Sequence, residues 1–302
     1  LRAPRPEWYD IGMTPSFLES LLFVVGHPLS HSLSPAMHGS VIRRRGLPLR
    51  YVGIDVPPER FDDFIRVVRS ANFLGGNVTI PYKRQAAEAA DVRSEAVLVC
   101  GAANVLSVRD GRLAADNTDG DGFLDAASGA GWGRKFPRVV ILGAGGAARG
   151  IAHALLKEGT RELLILNRDP GKADRMASDL AGGAGEARIK NGELGTASML
   201  QGFPGADLVV QCTSLGLVGE WDDFPVKAIE KTTRFADIVY VPGGTALVRD
   251  LRRRGVDTID GLPMLANQAA RSFAIWTGIA VPGNEYLAAA RRALRQKRQS
   301  NY

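Results

Sequence analysis

Cysteine and histidine are scarce: 302 residues contain two of the first and four of the second. Cys100 and Cys212 lie far apart in apolar surroundings, which excludes a disulfide framework and a cysteine-built metal site and suits buried thiols. No run of eighteen or more apolar residues is present, so no membrane-spanning helix is expected. Residues 1–20 mix Pro, Arg, Glu and Asp without an apolar core; they read as a loosely ordered arm and not as a signal peptide, which points to a reducing cytoplasm. A basic stripe interleaved with aromatics, as single-stranded nucleic acid requires, is also missing. The formal net charge is +6, but Arg291, Arg292, Arg295, Lys297 and Arg298 crowd the end of the chain, where a solvated helix face is the plain reading. His27, His31 and His38 would align as metal ligands on a helix. Pro28 and Pro35 interrupt any such helix, and no cysteine or paired carboxylate joins them, so no metal is expected.

What is present describes an ordinary α/β protein. Hydrophobic residues make up 45% and charged residues 23%, and the length suits about two domains with real cores. Phe23–Gly26, Arg50–Val56 and Gly75–Ile80 read as strands, separated by helical stretches at Ala36–Arg45 and Glu59–Ser70 and followed by one through Ala86–Ala90. Asn104–Val108 and Arg112–Ala115 form a hairpin-like pair turning at Asp110-Gly111. The polar run Asp116–Gly122 then opens a helix over Phe123–Ala130, where a domain boundary is expected. A second alternating series runs from Arg138 to about Asp260. Two helical stretches, Leu262–Gly278 and Asn284–Arg298, close the chain and are long enough to pack back on the first domain.

Two segments carry chemistry. Arg138–Leu142 is a buried strand leading into Gly143-Ala144-Gly145-Gly146-Ala147-Ala148, a G-x-G-x-x-A turn in strand–turn–helix context. Gly143 permits the tight turn, Gly145 lets backbone approach a pyrophosphate, and the following helix offers its N-terminus to the phosphates. The next strand ends in Asn167-Arg168-Asp169. Arg168, helped by Lys172 and Arg175, suits a 2′-phosphate and favours NADP; Asp169 keeps NAD open as the alternative. The other segment is Gly75–Lys83. Leu74, Val78 and Ile80 read as apolar strand positions, while Asn77 and Thr79 share the opposite parity and Lys83 follows Pro81. This is either an edge strand with solvated polar residues or one wall of a site for a polyhydroxylated ligand. Lys83 is either a solvated helix-start residue or a general acid–base, with Asp119 as its candidate partner. Ser30, Ser32 and Ser34 in the Pro28–Pro35 loop suit a carboxylate or hydroxyls.

Taken together these segments resemble the shikimate dehydrogenase family (shikimate/quinate dehydrogenases). G-x-P-x-x-H-S-x-S-P-x-x-H corresponds to Gly26–His38, G-x-N-V-T-x-P-x-K ends on Lys83, and G-A-x-N corresponds to Gly101–Asn104. N-T-D-x-x-G corresponds to Asn117–Gly122, and Tyr240–Thr245 and Asp260–Gln268 follow in order. The resemblance implies an N-terminal α/β substrate-binding domain from residues 1–122 and 262–302, around a Rossmann-type doubly wound NAD(P)-binding domain at 123–261. It implies that Ser32 and Ser34 bind a substrate carboxylate, and that Asn77, Thr79, Asn104, Tyr240 and Gln268 surround ring hydroxyls. Lys83 and Asp119 would be catalytic. Gly143, Ala144, Gly145, Gly146, Ala147, Asn167, Arg168, Lys172, Thr213 and Gly261 would face the cofactor.

The implied activity is reversible NADPH-dependent reduction of 3-dehydroshikimate to shikimate, by a monomer or homodimer with only small-molecule partners. An NAD-dependent quinate/shikimate dehydrogenase and a non-catalytic ligand-sensing relative are the alternatives. The sequence departs from the family pattern at three places: Gly39 where asparagine is frequent, Gln211-Cys212-Thr213 in place of N-A-T, and Asp169 in place of a small hydroxyl residue.

Overall fold

A computed structural model describes residues 20–300 except 31, 220 and 222, with side chains described as far as residue 297. The arm expected over residues 1–20 lies almost wholly outside the described residues, as does His31.

The first half contains β1 (Ser20–Gly26), α1 (Ser34–Arg44), β2 (Leu49–Asp55), α2 (Phe61–Ser70), β3 (Phe73–Val78), α3 (Lys83–Ala89), β4 (Val92–Arg93), α4 (Glu95–Cys100), β5 (Val105–Arg109), β6 (Arg112–Asp116) and α5 (Asp119–Gly129). These strands form one mixed sheet in the order β2-β1-β3-β5-β6-β4. β1 runs parallel to β2 and β3, because helices carry the crossovers; β5 is antiparallel to β3 and β6. The β5–β6 turn is the expected Asp110-Gly111, with φ of 49° and 71°, the left-handed pair that a tight hairpin needs.

The second half contains β7 (Arg138–Leu142), α6 (Gly146–Lys157), β8 (Glu162–Asn167), α7 (Pro170–Ala181), β9 (Arg188–Glu193), α8 (Thr196–Gly202), β10 (Leu208–Gln211), β11 (Arg234–Asp237), α9 (Ala246–Arg253) and β12 (Thr258–Ile259). They form a wholly parallel sheet ordered β12-β11-β10-β7-β8-β9, so the winding direction reverses between β7 and β10. Ligands of doubly wound sheets sit at the carboxyl ends of the strands flanking that reversal. The chain closes with α10 (Gly261–Thr277) and α11 (Gly283–Ser300).

Apolar residues line both faces of each sheet. α2 buries Phe61, Phe64, Ile65 and Val68, the one-face spacing read from the sequence. α11 returns to the first sheet through Tyr286, Ala289, Ala290 and Ala293, as its length led one to expect. α10 joins the same core through Leu262, Ala266 and Phe273, yet places Met264 in the core of the second sheet. Its partner α5 supplies Phe123, Leu124, Ala126 and Ala127 to that second core. These two helices therefore hold the sheets together. They approach so closely that a Cβ on Gly122 would lie 2.7 Å from the Gln268 backbone nitrogen.

Two local expectations change. The α5 helix starts at Asp119, four residues before the expected Phe123, because Asn117 Oδ1 accepts the Asp119 N–H at 3.0 Å and acidic Asp119 and Asp121 suit a helix N-terminus. The β3 strand ends at Val78 and the chain turns, Tyr82 N–H donating to Thr79 O at 2.9 Å. Ile80 therefore lies outside the ladder and is 68% exposed instead of buried.

Candidate active site

The polar residues of the Gly75–Lys83 segment enter one buried hydrogen-bond network. Asn77 Oδ1 accepts from Tyr51 Oη at 2.7 Å, and its Nδ2 donates to Asn104 O at 3.1 Å and Ser272 Oγ at 3.0 Å. Asn104 is the hub. Its Oδ1 accepts the Thr118 N–H at 2.8 Å, and its Nδ2 lies within 3.2 Å of Thr118 Oγ1, Asp119 Oδ1 and Gln268 Oε1. Asp119 then meets Lys83: Nζ donates to Oδ2 at 2.5 Å, with only 13% of the lysine and 6% of the aspartate side chain exposed. A charge pair this buried persists only when its remaining polar valences are met, and Asn104 Nδ2 donates to the second carboxylate oxygen of Asp119. Lys83 is itself fixed at the start of α3, its carbonyl accepting the Ala103 N–H at 2.7 Å.

The serine loop stands at the end of β1. Asp55 accepts the Leu29 N–H at 2.8 Å and lies 2.7 Å from His27 Nδ1; these contacts, the Leu29 bond first, hold its carboxyl below the usual range. Ser32 Oγ accepts the Ser34 N–H at 3.3 Å. Ser34 is buried and its hydroxyl reaches the Tyr51 phenol, which links the loop to Asn77. Thr79 sits beside the start of the loop: a Cβ on Gly26 would lie 2.4 Å from its methyl carbon. Tyr240 is partly buried at the edge of the first core, and desolvation there raises its phenol pKa.

The glycine turn lies where the winding of the second sheet reverses. Gly143 has φ of 108°, and a Cβ there would lie 3.0 Å from the Cys212 carbonyl, so the turn packs on the chain leaving β10. Asn167 Oδ1 accepts the Ala144 N–H at 3.1 Å, and its Nδ2 donates to Asp169 O at 2.9 Å, so this side chain braces the turn. Nothing lies within 4 Å of a Cβ placed on Gly145, which leaves backbone there open to a phosphate, with Ala147 following in the first turn of α6. Arg168 and Lys172 are exposed beyond β8. Thr213 donates its N–H to Gln211 Oε1 and accepts the Leu215 N–H at 3.2 Å, holding the loop opposite Gly143. Gly261 N–H donates to Val239 O at 3.1 Å, and a Cβ there would overlap Ile238 O, so only glycine fits where α10 meets the end of β11. An open glycine, a helix N-terminus and two free-standing cations suit a dinucleotide bearing a further phosphate.

The histidines take separate roles. His38 is buried, stacked on Tyr51 at a centroid distance of 4.2 Å and paired with Tyr286 Oη at 3.0 Å; burial drives its pKa to about 3. Among the described residues no group of three or more His, Cys, Asp or Glu could hold a metal ion. Burial raises both thiols, Cys100 to about 11. Tyr51, Thr118 and Ser272 belong to the network without having been singled out from the sequence. Thr118 carried a signal, lying between Asn117 and Asp119 in N-T-D, and Ser272 lies one helical turn after Gln268.

Residues 24–106 match the shikimate dehydrogenase substrate binding domain, residues 132–215 the shikimate/quinate 5-dehydrogenase domain, and residues 261–295 the shikimate 5′-dehydrogenase C-terminal domain. A shikimate dehydrogenase (NADP(+)) of Methylobacterium radiotolerans is 41% identical over 266 residues, spanning 85% of this chain and 90% of the relative. The crystal structure of shikimate 5-dehydrogenase from Thermus thermophilus in complex with NADP(H) and shikimate aligns with a TM-score of 0.80 at 34% identity, covering 91% of this chain and all 100% of the other. Quinate dehydrogenase from Corynebacterium glutamicum in complex with NAD reaches a TM-score of 0.81 at 27% identity, covering 90% and 98%. Solved structures with this backbone thus include enzymes named for shikimate and for quinate, one holding NADP(H) and the other NAD. On the strength of this similarity along most of its length, the chain belongs to the shikimate dehydrogenase family.

Proposed function

We propose that this protein catalyses the reversible reduction of 3-dehydroshikimate to shikimate with NADPH, a step of aromatic amino-acid biosynthesis. The observation that carries the reading is the buried Lys83–Asp119 pair, held at 2.5 Å by the Asn104 hub and facing the glycine turn of the second sheet. NADPH, when bound, supplies the hydride. Lys83 gives the proton to the oxygen of the carbonyl being reduced and takes it back in the reverse direction. Asp119 keeps the ammonium aimed and balances its charge. Asn77, Thr79, Asn104, Tyr240 and Gln268 orient the ring hydroxyls, and Ser32 with Ser34 binds the carboxylate.

Gly143, Ala144, Gly145, Gly146 and Ala147 receive the pyrophosphate, with Asn167 bracing their turn, while Arg168 and Lys172 face the 2′-phosphate. Thr213 and Gly261 stand toward the nicotinamide end. Residues 1–122 and 262–302 form the substrate domain and 123–261 the dinucleotide domain. All these residues belong to one chain, so a monomer suffices and a homodimer would leave the chemistry unchanged. The two free thiols suit the reducing cytoplasm.

Initial rates with shikimate and quinate, each with NADP and NAD, test the assignment. The shikimate–NADP pair is expected to have the highest kcat/KM. A higher value for quinate with NAD would move the protein to the quinate branch of the family. Ligand binding with no cofactor reduction in any combination would make it a sensor.

A further inference from the structure

The basic residues at the end of the chain read from the sequence as a solvated face. One of them is not. Lys297, near the end of α11, donates from Nζ to Ser30 O at 2.8 Å and to Ser32 O at 3.4 Å, and its partial burial lowers its pKa. Asp55 takes the Leu29 N–H and His27 in the same loop. The loop that follows β1 is therefore held from two sides, by a carboxylate on its amide side and an ammonium on its carbonyl side.

We infer that Lys297 is a positioning residue for substrate binding: it fixes the carbonyls of Ser30 and Ser32 so that the hydroxyls of the loop meet the substrate carboxylate. Two physical features support this. Loop carbonyls without a regular backbone ladder need a partner to hold one conformation, and a lysine anchored on a helix supplies one. Its positive charge also stands beside the place where a carboxylate is to arrive, and partial burial limits screening of that charge by solvent. The α11 helix is well anchored for the task. Arg45 donates to Glu285 at 3.0 Å, Tyr286 is fully buried, and Arg292 donates to Ser40 Oγ at 3.3 Å. The C-terminal helix thus reaches the loop that follows β1.

The inference rests on the reading that Ser32 and Ser34 bind the substrate carboxylate, and the experiment separates the two. Steady-state kinetics are measured for Lys297→Met, Lys297→Arg and Ser32→Ala, with the thermal midpoint of each. Lys297→Met is expected to raise KM for shikimate about tenfold, the weight of one charge-assisted hydrogen bond, with kcat and the KM for NADP within about twofold of the parent. Lys297→Arg, which keeps the charge and the donors, is expected to recover most of that loss. An unchanged shikimate KM in Lys297→Met beside a raised one in Ser32→Ala would overturn the role of Lys297 alone. An unchanged KM in Ser32→Ala would overturn the serine reading and with it this route. Equal losses in kcat and in both KM values, with a lowered midpoint and no recovery in Lys297→Arg, would make the contact structural only.

Discussion

The two sheets present their polar groups in opposite ways. On the mixed sheet every polar group of the Asn77–Asn104–Asp119–Gln268 network is buried and already hydrogen-bonded within the protein. On the parallel sheet the glycine turn is open at Gly145, and the nearby cations Arg168 and Lys172 stand exposed. Burial makes the first region rigid: moving one member leaves another unsatisfied, at a cost of about 1–3 kcal/mol per buried group. The second region presents charged side chains that remain in water and are free to adjust to an arriving ligand. Preorganisation belongs where a proton moves over a short distance, and tolerance belongs where a long dinucleotide is gripped along its length.

This contrast can be broken most sharply at Lys83. Lys83→Ala is expected to lower kcat by roughly a thousandfold or more, with the substrate dissociation constant little changed, because the proton donor is lost and not the pocket. Single-turnover rates and equilibrium titration would check it. If binding weakened in step while turnover survived, Lys83 would be a wall of the pocket and not its acid–base.

A smaller effect is expected where the two regions touch. A Cβ on Gly146 would lie 2.8 Å from Lys83 Cβ and Cδ, so the glycine turn seats the lysine stem. Gly146→Ala should displace Lys83 and lower kcat by about a hundredfold, the scale of a 1 Å misplacement, with less effect on NADPH affinity. Its effect should largely vanish in the Lys83→Ala background, which a double-mutant cycle would read. Weakened cofactor binding at unchanged kcat would show that Gly146 serves the phosphates alone and does not seat Lys83.

The smallest effect on turnover is expected at Asp237, the buried carboxyl of the second sheet, whose polar partners include Gln211, Val239 N–H and Thr245. Burial raises its pKa to about 6 from 3.8. A raised carboxyl pKa means the folded protein holds the proton more tightly than the unfolded chain. Stability from this group is therefore present in full below about pH 4 and is lost as pH rises through 6. Asp237→Asn should remove that slope, changing the difference in unfolding free energy between pH 4.5 and 7.5 by roughly 2 kcal/mol in urea titrations. An unaltered pH dependence would show that the carboxyl does not titrate in this window.

The errors of the sequence reading have physical causes. Alternation continued past Val78 predicts a buried Ile80, but alternation carries no information once the ladder stops. Asp119–Gly122 reads as a turn before a helix at Phe123; two acidic residues and Asn117 instead make it a helix N-terminus. Lys297 looked solvated because nothing local distinguishes it from Arg295. The pairing of Lys83 with Asp119 was legible because both lie in dense polar motifs, whereas Tyr51 and Ser272 are lone polar residues whose partners lie far along the chain.

Local order and motif spacing were enough to establish the alternating strands and helices, the dinucleotide turn after β7, the family and the candidate acid–base. Those features depend on residues close in sequence, where periodicity and backbone chemistry act directly. Packing established the rest: the Asn104 hub, the glycine seat for Lys83, and the reach of Lys297 to a loop more than two hundred and sixty residues earlier. Each of these joins side chains brought together by α5, α10 and α11, and burial, not sequence neighbourhood, decides which polar groups must find one another.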